Sequence, residues 1–245
     1  MGLAQKNSFT MPRLDQLLAS LGYGSRRQVA SQIEAGAVTC RGEVLTRPEQ
    51  QVREAAEICW RGRALESPQG LLALLHKPVG YSCTHSSNEG PSIYELLPPQ
   101  WLRRNPVVTS VGRLDKDTSG ALLITDCGSL VQRLTSPRAQ IDKIYIADVE
   151  GELHSGLIDV FASGQLQLRN EKNPCLPATL EILQPHRARL TLQEGRYHQV
   201  RRMFASQGLH VLSLHRQSFA GHSIEHLPAG HWQLLPLPEG HQRIA

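Results

Sequence analysis

Between two apolar segments the chain carries Val111-Gly112-Arg113-Leu114-Asp115-Lys116-Asp117-Thr118-Ser119-Gly120. Polar and flexible residues placed between apolar strands are typical of a functional loop on a rigid scaffold. Two carboxylates, Asp115 and Asp117, stand in this loop. Such a pair can divide general-acid and general-base work, but close acids in a polar loop also cap helices or pair with neighbouring Arg and Lys. The residue types alone leave both interpretations open.

The segments around this loop predict the fold class. Apolar runs and alternating patterns predict strands over residues 71–75, 121–125, 143–149 and 189–192, with a helix near residues 157–161. The chain has no regular βαβ period and no internal repeat. The pattern therefore favours an α+β catalytic domain over residues 71–245, with a mixed, largely antiparallel sheet.

Residues 11–65 predict a small helix-helix-hairpin unit. Its first helix has an apolar stripe at Leu14, Leu17, Leu18 and Leu21. Ser25 and Gln28 form a capping-box pattern at the start of a second helix, and a short hairpin follows over residues 38–45. Arg26, Arg27 and Arg41 could share one face of this unit or simply be solvated. A linker is predicted at residues 66–70.

Composition excludes several classes of protein. A formal net charge of +4 fits a polyanionic partner without requiring one. The longest uninterrupted aliphatic stretch, residues 71–75, is too short to span a bilayer, and the polar first eleven residues are unlike a signal peptide. The five cysteines include no C-x-x-C pair, which favours reduced thiols. A cytoplasmic protein with a polar N-terminal leader is expected.

Neither a metal nor a cofactor is expected. His222 and His226 are spaced by four residues, but Gly221 and Pro228 beside them argue against a metal-binding helix. The chain also has no G-x-G-x-x-G motif and no P-loop.

The loop and three further blocks resemble the pseudouridine synthase family, whose signature is G-R-L-D-x-x-T-x-G-[LA]-L. The chain carries K-P-x-G at residues 77–80, K-x-Y at residues 143–145 and E-G-R-Y-H-Q-V-R-R-M-F at residues 194–204. The four blocks lie in the family's order. The resemblance implies that the enzyme flips a uridine out of RNA, cuts its glycosidic bond, turns the base and rejoins it through carbon.

The resemblance also implies roles for individual residues. Asp115 is the catalytic carboxylate, and Tyr145 offers a ring for the flipped uracil unless it is an ordinary strand aromatic. Because a carboxylate in a closed pocket must stay ionised and oriented, Arg201 is expected to pair with Asp115. Val200, Met203 and Phe204 predict a helix whose buried face would fix Arg201.

Further basic and polar side chains in these blocks are expected to contact substrate or RNA. They are Lys77, Arg113, Lys143, Arg196, His198, Gln199 and Arg202, together with Arg26, Arg27 and Arg41 of the N-terminal unit. The alternative for Lys77 is that it only stabilises the turn in which it lies. Each of Arg196, Arg201 and Arg202 is also a candidate phosphate ligand.

The N-terminal unit resembles the RNA-binding module of ribosomal small-subunit protein four. That family's pattern appears as R-L-D-Q-L-L-A at residues 13–19, S-R-R-Q-V-A at residues 25–30 and G-A-V to G-E-V at residues 36–44. Such modules occur in several unrelated RNA enzymes, so this resemblance implies RNA without naming a reaction.

Within the synthase family the chain resembles the branch acting on ribosomal RNA, most of all its small-subunit (16S) enzymes. Residues 164–178 resemble their G-x-x-L-x-N-E-K-x-x-x-x-P-A segment, although Gln233 replaces an Arg of the family's tail. Alternatives are a large-subunit (23S) enzyme, a non-catalytic rRNA-binding protein, and a glycoside hydrolase using Asp115 and Asp117. A monomer bound to rRNA is expected.

Overall fold

A computed structural model describes residues 12–53, 55–86 and 90–240. The predicted polar leader and Met11, where the N-terminal module was predicted to begin, lie outside these residues. The chain forms two compact units. Of the described residues, the first unit comprises those from 12 to 71, Pro98–Val108 and those from 237 to 240, and the second comprises those from 72 to 97 and Thr109–Pro236.

The first unit has two short helices and a small antiparallel sheet. Its elements are α1 (Leu14–Ser20), α2 (Arg26–Glu34), β1 (Val38–Cys40), β2 (Glu43–Leu45), β3 (Ile58–Trp60) and β4 (Arg63–Ala64). The strands pair in the order β2-β1-β3-β4. All four leucines of the predicted stripe are buried, and Ser25 and Gln28 form the predicted capping box. The β1–β2 hairpin is also confirmed.

Residues 98–108 leave the second unit and pack on the first. Asn105 N donates to Ser20 O at 2.9 Å, and Gly22 lies so close to this segment that a Cβ there would be 2.2 Å from Gln100 O. The guanidinium of Arg104 donates to the carbonyls of Glu66 and Ser67 at 3.2 and 2.8 Å. Residues 66–67, predicted to be part of a linker, are therefore fixed to the first unit.

The second unit is built on one mixed sheet. Its strands are β5 (Leu72–Lys77), β6 (Thr109–Ser110), β7 (Thr118–Thr125), β8 (Lys143–Glu150), β9 (Thr179–Gln184), β10 (Arg187–Leu192), β11 (His210–Phe219), β12 (His222–Ser223) and β13 (Trp232–Leu234). Its helices are α3 (Gly128–Thr135), α4 (Gly156–Ala162) and α5 (Gln199–Ala205). The sheet order is β13-β5-β7-β11-β8-β10-β9, with β12 beside β11 and β6 beside β7.

This architecture confirms the predicted α+β class. The β7–β11 pair is parallel, whereas the other strand pairs among the described residues are antiparallel. The predicted helix α5 buries Val200, Met203 and Phe204, as expected. No helix within the described residues is long and apolar enough to cross a membrane.

The parallel pair depends on a glycine at residue 120. Gly120 has φ +123° and faces Arg216 in the register, so an added Cβ would lie 2.2 Å from Arg216 O. Replacing Gly120 by Ala is therefore expected to lower the free energy of unfolding by at least about 2 kcal/mol, because the β7 and β11 backbones must separate. Chemical denaturation measures this change.

The matched control is Gly128→Ala. Gly128 begins α3, and its added Cβ would meet no atom within 4 Å. This variant should be neutral or gain up to about 1 kcal/mol, since Ala favours helix more than Gly does. A Gly120→Ala protein as stable as the control would contradict the close-approach argument.

Candidate active site

A cavity of about 790 Å³ opens in the second unit. Its lining comes from the loop of residues 111–118, residues 134–137, the start of β8, residues 192–200 and β11. Charged side chains from three blocks of the sequence and from β11 meet there: Arg113, Asp115, Lys143, Glu194, Arg196, His198 and Arg216. The sheet thus brings three separate blocks of the sequence to one cavity.

Asp115 lies in a loop that is fixed on both sides. Thr118 N donates to Asp115 O at 3.0 Å, which closes a turn around Asp115. The preceding residue, Leu114, is buried, and its backbone N–H contacts Cys83 Sγ at 3.5 Å. The Asp115 side chain itself is 36% exposed. The carboxylate is therefore accessible on a rigid backbone.

Lys77 is hydrogen-bonded to the backbone of this loop from inside the unit. Its predicted contact with RNA is wrong, because the side chain is not exposed. The residue is fully buried, and its ammonium donates to Thr118 O at 2.7 Å, Pro78 O at 3.1 Å and Lys116 O at 3.4 Å. Burial lowers the pKa of Lys77, although the Asp115 and Asp117 carboxylates oppose that shift. A buried ammonium with carbonyl acceptors holds the loop and has no access to RNA.

The ion pair of Asp115 in this structure is with His198. His198 Nε2 lies 3.4 Å from Asp115 Oδ1, so the pair is ionic only when the imidazole is protonated. His198 has φ +47°, a left-handed conformation at the N-cap of α5. The ring of Tyr197 stacks on that of His198 with centroids 3.9 Å apart. Tyr197 is 76% exposed, so this aromatic pair forms an open rim beside Asp115.

Arg201 reaches the loop but contacts the other carboxylate. Its Nη2 lies 2.7 Å from Asp117 Oδ2, and its Nη1 donates to Val211 O at 2.9 Å. The predicted pair between Arg201 and Asp115 is therefore not formed here. Arg201 Nε is buried and has no hydrogen-bond partner among the described residues. The geometry leaves one donor of this guanidinium unused.

Tyr145 and Arg216 form the buried wall of the cavity. Arg216 is only 3% exposed, and its Nε donates to Ala121 O at 2.7 Å. Its Nη1 donates to Tyr145 Oη at 3.5 Å, and its Cζ lies 4.6 Å from the centre of the Phe219 ring. Arg216 Nη2 is buried without a partner within the described part of the chain. An unsatisfied buried donor that lines a cavity can serve a bound substrate.

Sequence reasoning missed Arg216. The available signal was its position two residues after Leu214 on a strand, because residues two apart lie on the same face. Leu214 is buried, so a charged residue on its face is unusual and indicates a site.

Arg196, Gln199 and Arg202, which were predicted to contact RNA, have hydrogen-bond partners within the protein. Arg196 donates to Asn173 O and Pro174 O at 2.6 Å each, and Gln199 accepts from Arg196 N at 2.9 Å. Arg202 donates to Glu171 at 2.7 Å and to Arg169 O at 2.5 Å. These bonds anchor residues 169–174 to residues 196–202. Of the three side chains, Arg196 and Gln199 line the cavity.

Arg113 and Lys143, which were predicted to contact substrate or RNA, both line the cavity. Arg113 is exposed on its rim. Lys143 is partly buried, and burial together with nearby Arg216 lowers the pKa of its ammonium. Its Nζ donates to Ile141 O at 3.0 Å. Arg113 is the more accessible of the two cations.

The three arginines predicted to bind RNA in the first unit differ in their surroundings. Arg26 donates to the buried Asp15 at 3.1 Å, and Arg41 pairs with Glu57. Arg27 lines an open groove of this unit. Within the described residues, no group of three or more His, Cys, Asp or Glu side chains is placed to hold a metal ion.

Two family models match the chain. The model described as RNA pseudouridylate synthase matches residues 72–206, and the S4 domain model matches residues 12–58. A protein of Pasteurella multocida (strain Pm70), named ribosomal small subunit pseudouridine synthase A, is 40% identical over 205 residues, 83% of this chain and 87% of the relative. Its namesake in Escherichia coli (strain K12) is 36% identical over 216 residues, 87% of this chain and 91% of the relative.

A solved structure is similar along nearly the whole chain. It is described as a crystal structure of pseudouridylate synthase, and it matches with a TM-score of 0.63 and 35% sequence identity. The match covers 91% of this chain and 96% of that chain.

Proposed function

This chain belongs to the RNA pseudouridylate synthase family, and we propose that its substrate is a uridine of small-subunit (16S) ribosomal RNA. The enzyme is an isomerase that forms pseudouridine. The observation that carries the choice of substrate is the 40% identity with a relative named for the small ribosomal subunit. The protein acts as a monomer in the cytoplasm, where assembling ribosomal RNA is accessible.

The reaction exchanges one glycosidic bond for another. The bond between ribose C1′ and uracil N1 breaks, the base turns, and a bond from C1′ to C5 forms, while C5 loses a proton and N1 gains one. The base must leave the RNA stack to expose these atoms. Asp115 is the catalytic carboxylate, since it is the acid of this fixed loop that lines the cavity. It acts as a nucleophile or as a base.

Tyr145 and Arg216 receive the flipped uracil. The Tyr145 ring lines the cavity, and its hydroxyl is held by Arg216 Nη1. A ring provides a stacking surface for the base, and the hydroxyl is placed to carry the proton that moves from carbon to nitrogen. The unused Nη2 donor of Arg216 supplies a hydrogen bond to a uracil carbonyl.

Arg201 orients the catalytic loop in the free enzyme through Asp117 and Val211 O. Its unused Nε donor needs an acceptor, since an unsatisfied buried N–H costs free energy. Asp115 stands two residues from Asp117 on the same loop. In the RNA-bound enzyme, Arg201 donates a hydrogen bond to Asp115. A guanidinium beside a carboxylate that is shielded from water stabilises the charged form of that carboxylate.

Residues 164–178 support the small-subunit assignment. This segment carries Glu171, which pairs with Arg202 at 2.7 Å and lies 3.8 Å from Arg196. Arg196 lines the cavity and donates to Asn173 O and Pro174 O, so the segment is bonded to the cavity rim. The rim contacts the nucleotides around the flipped uridine, and its sequence therefore contributes to the choice of RNA.

Site mapping tests this function. The protein is incubated with unmodified 16S and 23S transcripts, and pseudouridine is located by carbodiimide treatment and primer extension. One strong stop in the 16S transcript, dependent on the enzyme, is expected. A primer-extension stop confined to the 23S transcript would identify a large-subunit enzyme. RNA binding without any stop would indicate a non-catalytic RNA-binding protein.

A further inference from the structure

Tyr197 is an aromatic residue that projects from the rim of the active-site cavity into solvent. It lines the cavity, yet 76% of it is exposed, the largest exposed fraction of any large apolar side chain among the described residues. A single exposed aromatic side chain is common on protein surfaces and needs no explanation by itself. Tyr197 differs from that ordinary case because its neighbours fix it in one place, close to Asp115.

The backbone around Tyr197 is held on both sides. On one side, Arg196 N donates to Gln199 Oε1 at 2.9 Å, and the Arg196 guanidinium donates to two carbonyls of residues 173–174. On the other side, Arg202 Nη1 donates to Tyr197 O at 3.1 Å. The exposed ring is therefore carried on a backbone whose position is set by hydrogen bonds within the protein.

The ring of Tyr197 is oriented by His198. The two rings are nearly parallel, with 15° between their planes and 3.9 Å between their centroids. His198 has a left-handed backbone conformation, φ +47°, which is uncommon for a residue with a Cβ, and its Nε2 lies 3.4 Å from Asp115 Oδ1. Backbone conformations of this kind concentrate at functional sites. Because one face of the Tyr197 ring covers His198 while most of the residue is exposed, the opposite face is open to solvent.

Base flipping has a free-energy cost that this open face can reduce. When the target uridine leaves the RNA stack, the bases next to it lose a stacking partner. The flipped uracil itself enters the cavity beside Tyr145, which is only 9% exposed. Tyr197 lies on the rim, so the base that it can reach is a neighbour of the flipped uridine. An aromatic side chain can stack on any base, since every base has a flat face.

We propose that the open face of Tyr197 stacks on the base adjacent to the flipped uridine, so that this base, Tyr197 and His198 form three layers next to Asp115. The contact replaces part of the stacking that is lost on extrusion, and it holds the strand while the uracil is in the cavity. Tyr197 is thus a substrate-binding residue for the neighbouring nucleotide, whereas Tyr145 meets the flipped base. The inference rests on the proposed function, because it requires a flipped uridine.

The test is a double-mutant cycle between the tyrosine and the RNA. RNA fragments are built around the uridine that site mapping locates: one intact, one without the base on its 5′ side and one without the base on its 3′ side. Single-turnover rates measured below saturation give kcat/KM. On the intact RNA, Tyr197→Ala should lower kcat/KM about ten- to hundredfold, the usual loss for one base-stacking side chain. On one of the two abasic RNAs, the same substitution should cost less than about twofold.

Two further variants control for the ring and for surface exposure. Tyr197→Phe keeps the ring without the hydroxyl and should stay within about threefold of wild type on the intact RNA. Leu212 is another exposed apolar residue, and it lies on β11 outside the cavity lining, so Leu212→Ala should leave kcat/KM unchanged. Melting temperatures of all three variants should match that of wild type, since both side chains are exposed.

A loss of the same size on all three RNAs would overturn the inference, because Tyr197 would then act only by holding His198 beside Asp115. A kcat/KM for Tyr197→Ala within about threefold of wild type on the intact RNA would overturn it as well. Failure of the proposed function has a different signature. In that case the wild-type protein forms no pseudouridine in the 16S transcript, whereas a failed stacking inference leaves wild-type activity intact.

Discussion

Replacing Asp115 by asparagine is expected to lower the single-turnover rate of pseudouridine formation at least about a thousandfold, or ~4 kcal/mol of barrier. Asparagine keeps the shape of the side chain but loses the charge and one oxygen. The loop should keep its conformation, because its fixed contacts come from the Thr118 backbone, Cys83 and Lys77. RNA affinity measured in the same preparation should stay near that of wild type.

The second carboxylate of the loop provides the control for this experiment. Asp117 is 64% exposed, and its described ion pair is with Arg201. Asp117→Asn should therefore cost much less rate than Asp115→Asn, because it weakens an orienting contact and leaves the reacting group in place. Equal losses from the two variants would favour a mechanism that uses both carboxylates.

Local patterns predicted most of the elements. The leucine stripe of α1 and the capping box of α2 depend on neighbours within four residues, and both are present. Strands β5, β7, β8 and β10 and helix α4 were also predicted, with ends that differ by a few residues. Burial on one face or both leaves a periodic pattern in the sequence, which explains this success.

Contacts between distant residues could not be predicted in this way. Residues 98–108 return to the first unit through backbone hydrogen bonds and the close approach at Gly22, which have no periodic signature. The binding partners of basic side chains could not be predicted from local patterns either. Lys77 is buried under the active-site loop, while Arg196 and Arg202 bind carbonyls of residues 169–174. A basic residue in a motif predicts an anion or carbonyl partner without specifying which one.

Arg201→Lys is expected to lower the single-turnover rate at least about a hundredfold, although the charge is kept. In the free enzyme Arg201 uses two nitrogens on two different acceptors, Asp117 and Val211 O, and it has a third donor to spare. Lysine has a single nitrogen on a flexible chain and cannot hold the loop and the strand together. Rapid-quench measurement at saturating RNA isolates this effect from binding.

Arg202→Lys is the matched comparison, since the neighbouring residue on α5 points about 100° away around the helix. Arg202 donates to Glu171 and Arg169 O, in the segment that is also bonded to Arg196 of the cavity rim. Its replacement should therefore affect mainly RNA affinity, and the rate at saturation should stay within about tenfold of wild type. The reverse order of the two variants would move the role assigned to Arg201 to Arg202.

Comparison of Arg201→Lys with Asp117→Asn then decides which carboxylate Arg201 serves during the reaction. If Arg201 acted only through Asp117, the two variants would lose the same rate, and the double variant would be no worse than either one. If Arg201 moves to Asp115 when RNA enters, Arg201→Lys should be much slower than Asp117→Asn. We expect Arg201→Lys to be much the slower variant. The buried Nε of Arg201 has no acceptor in the free enzyme, and it gains one only if another oxygen, here that of Asp115, reaches it.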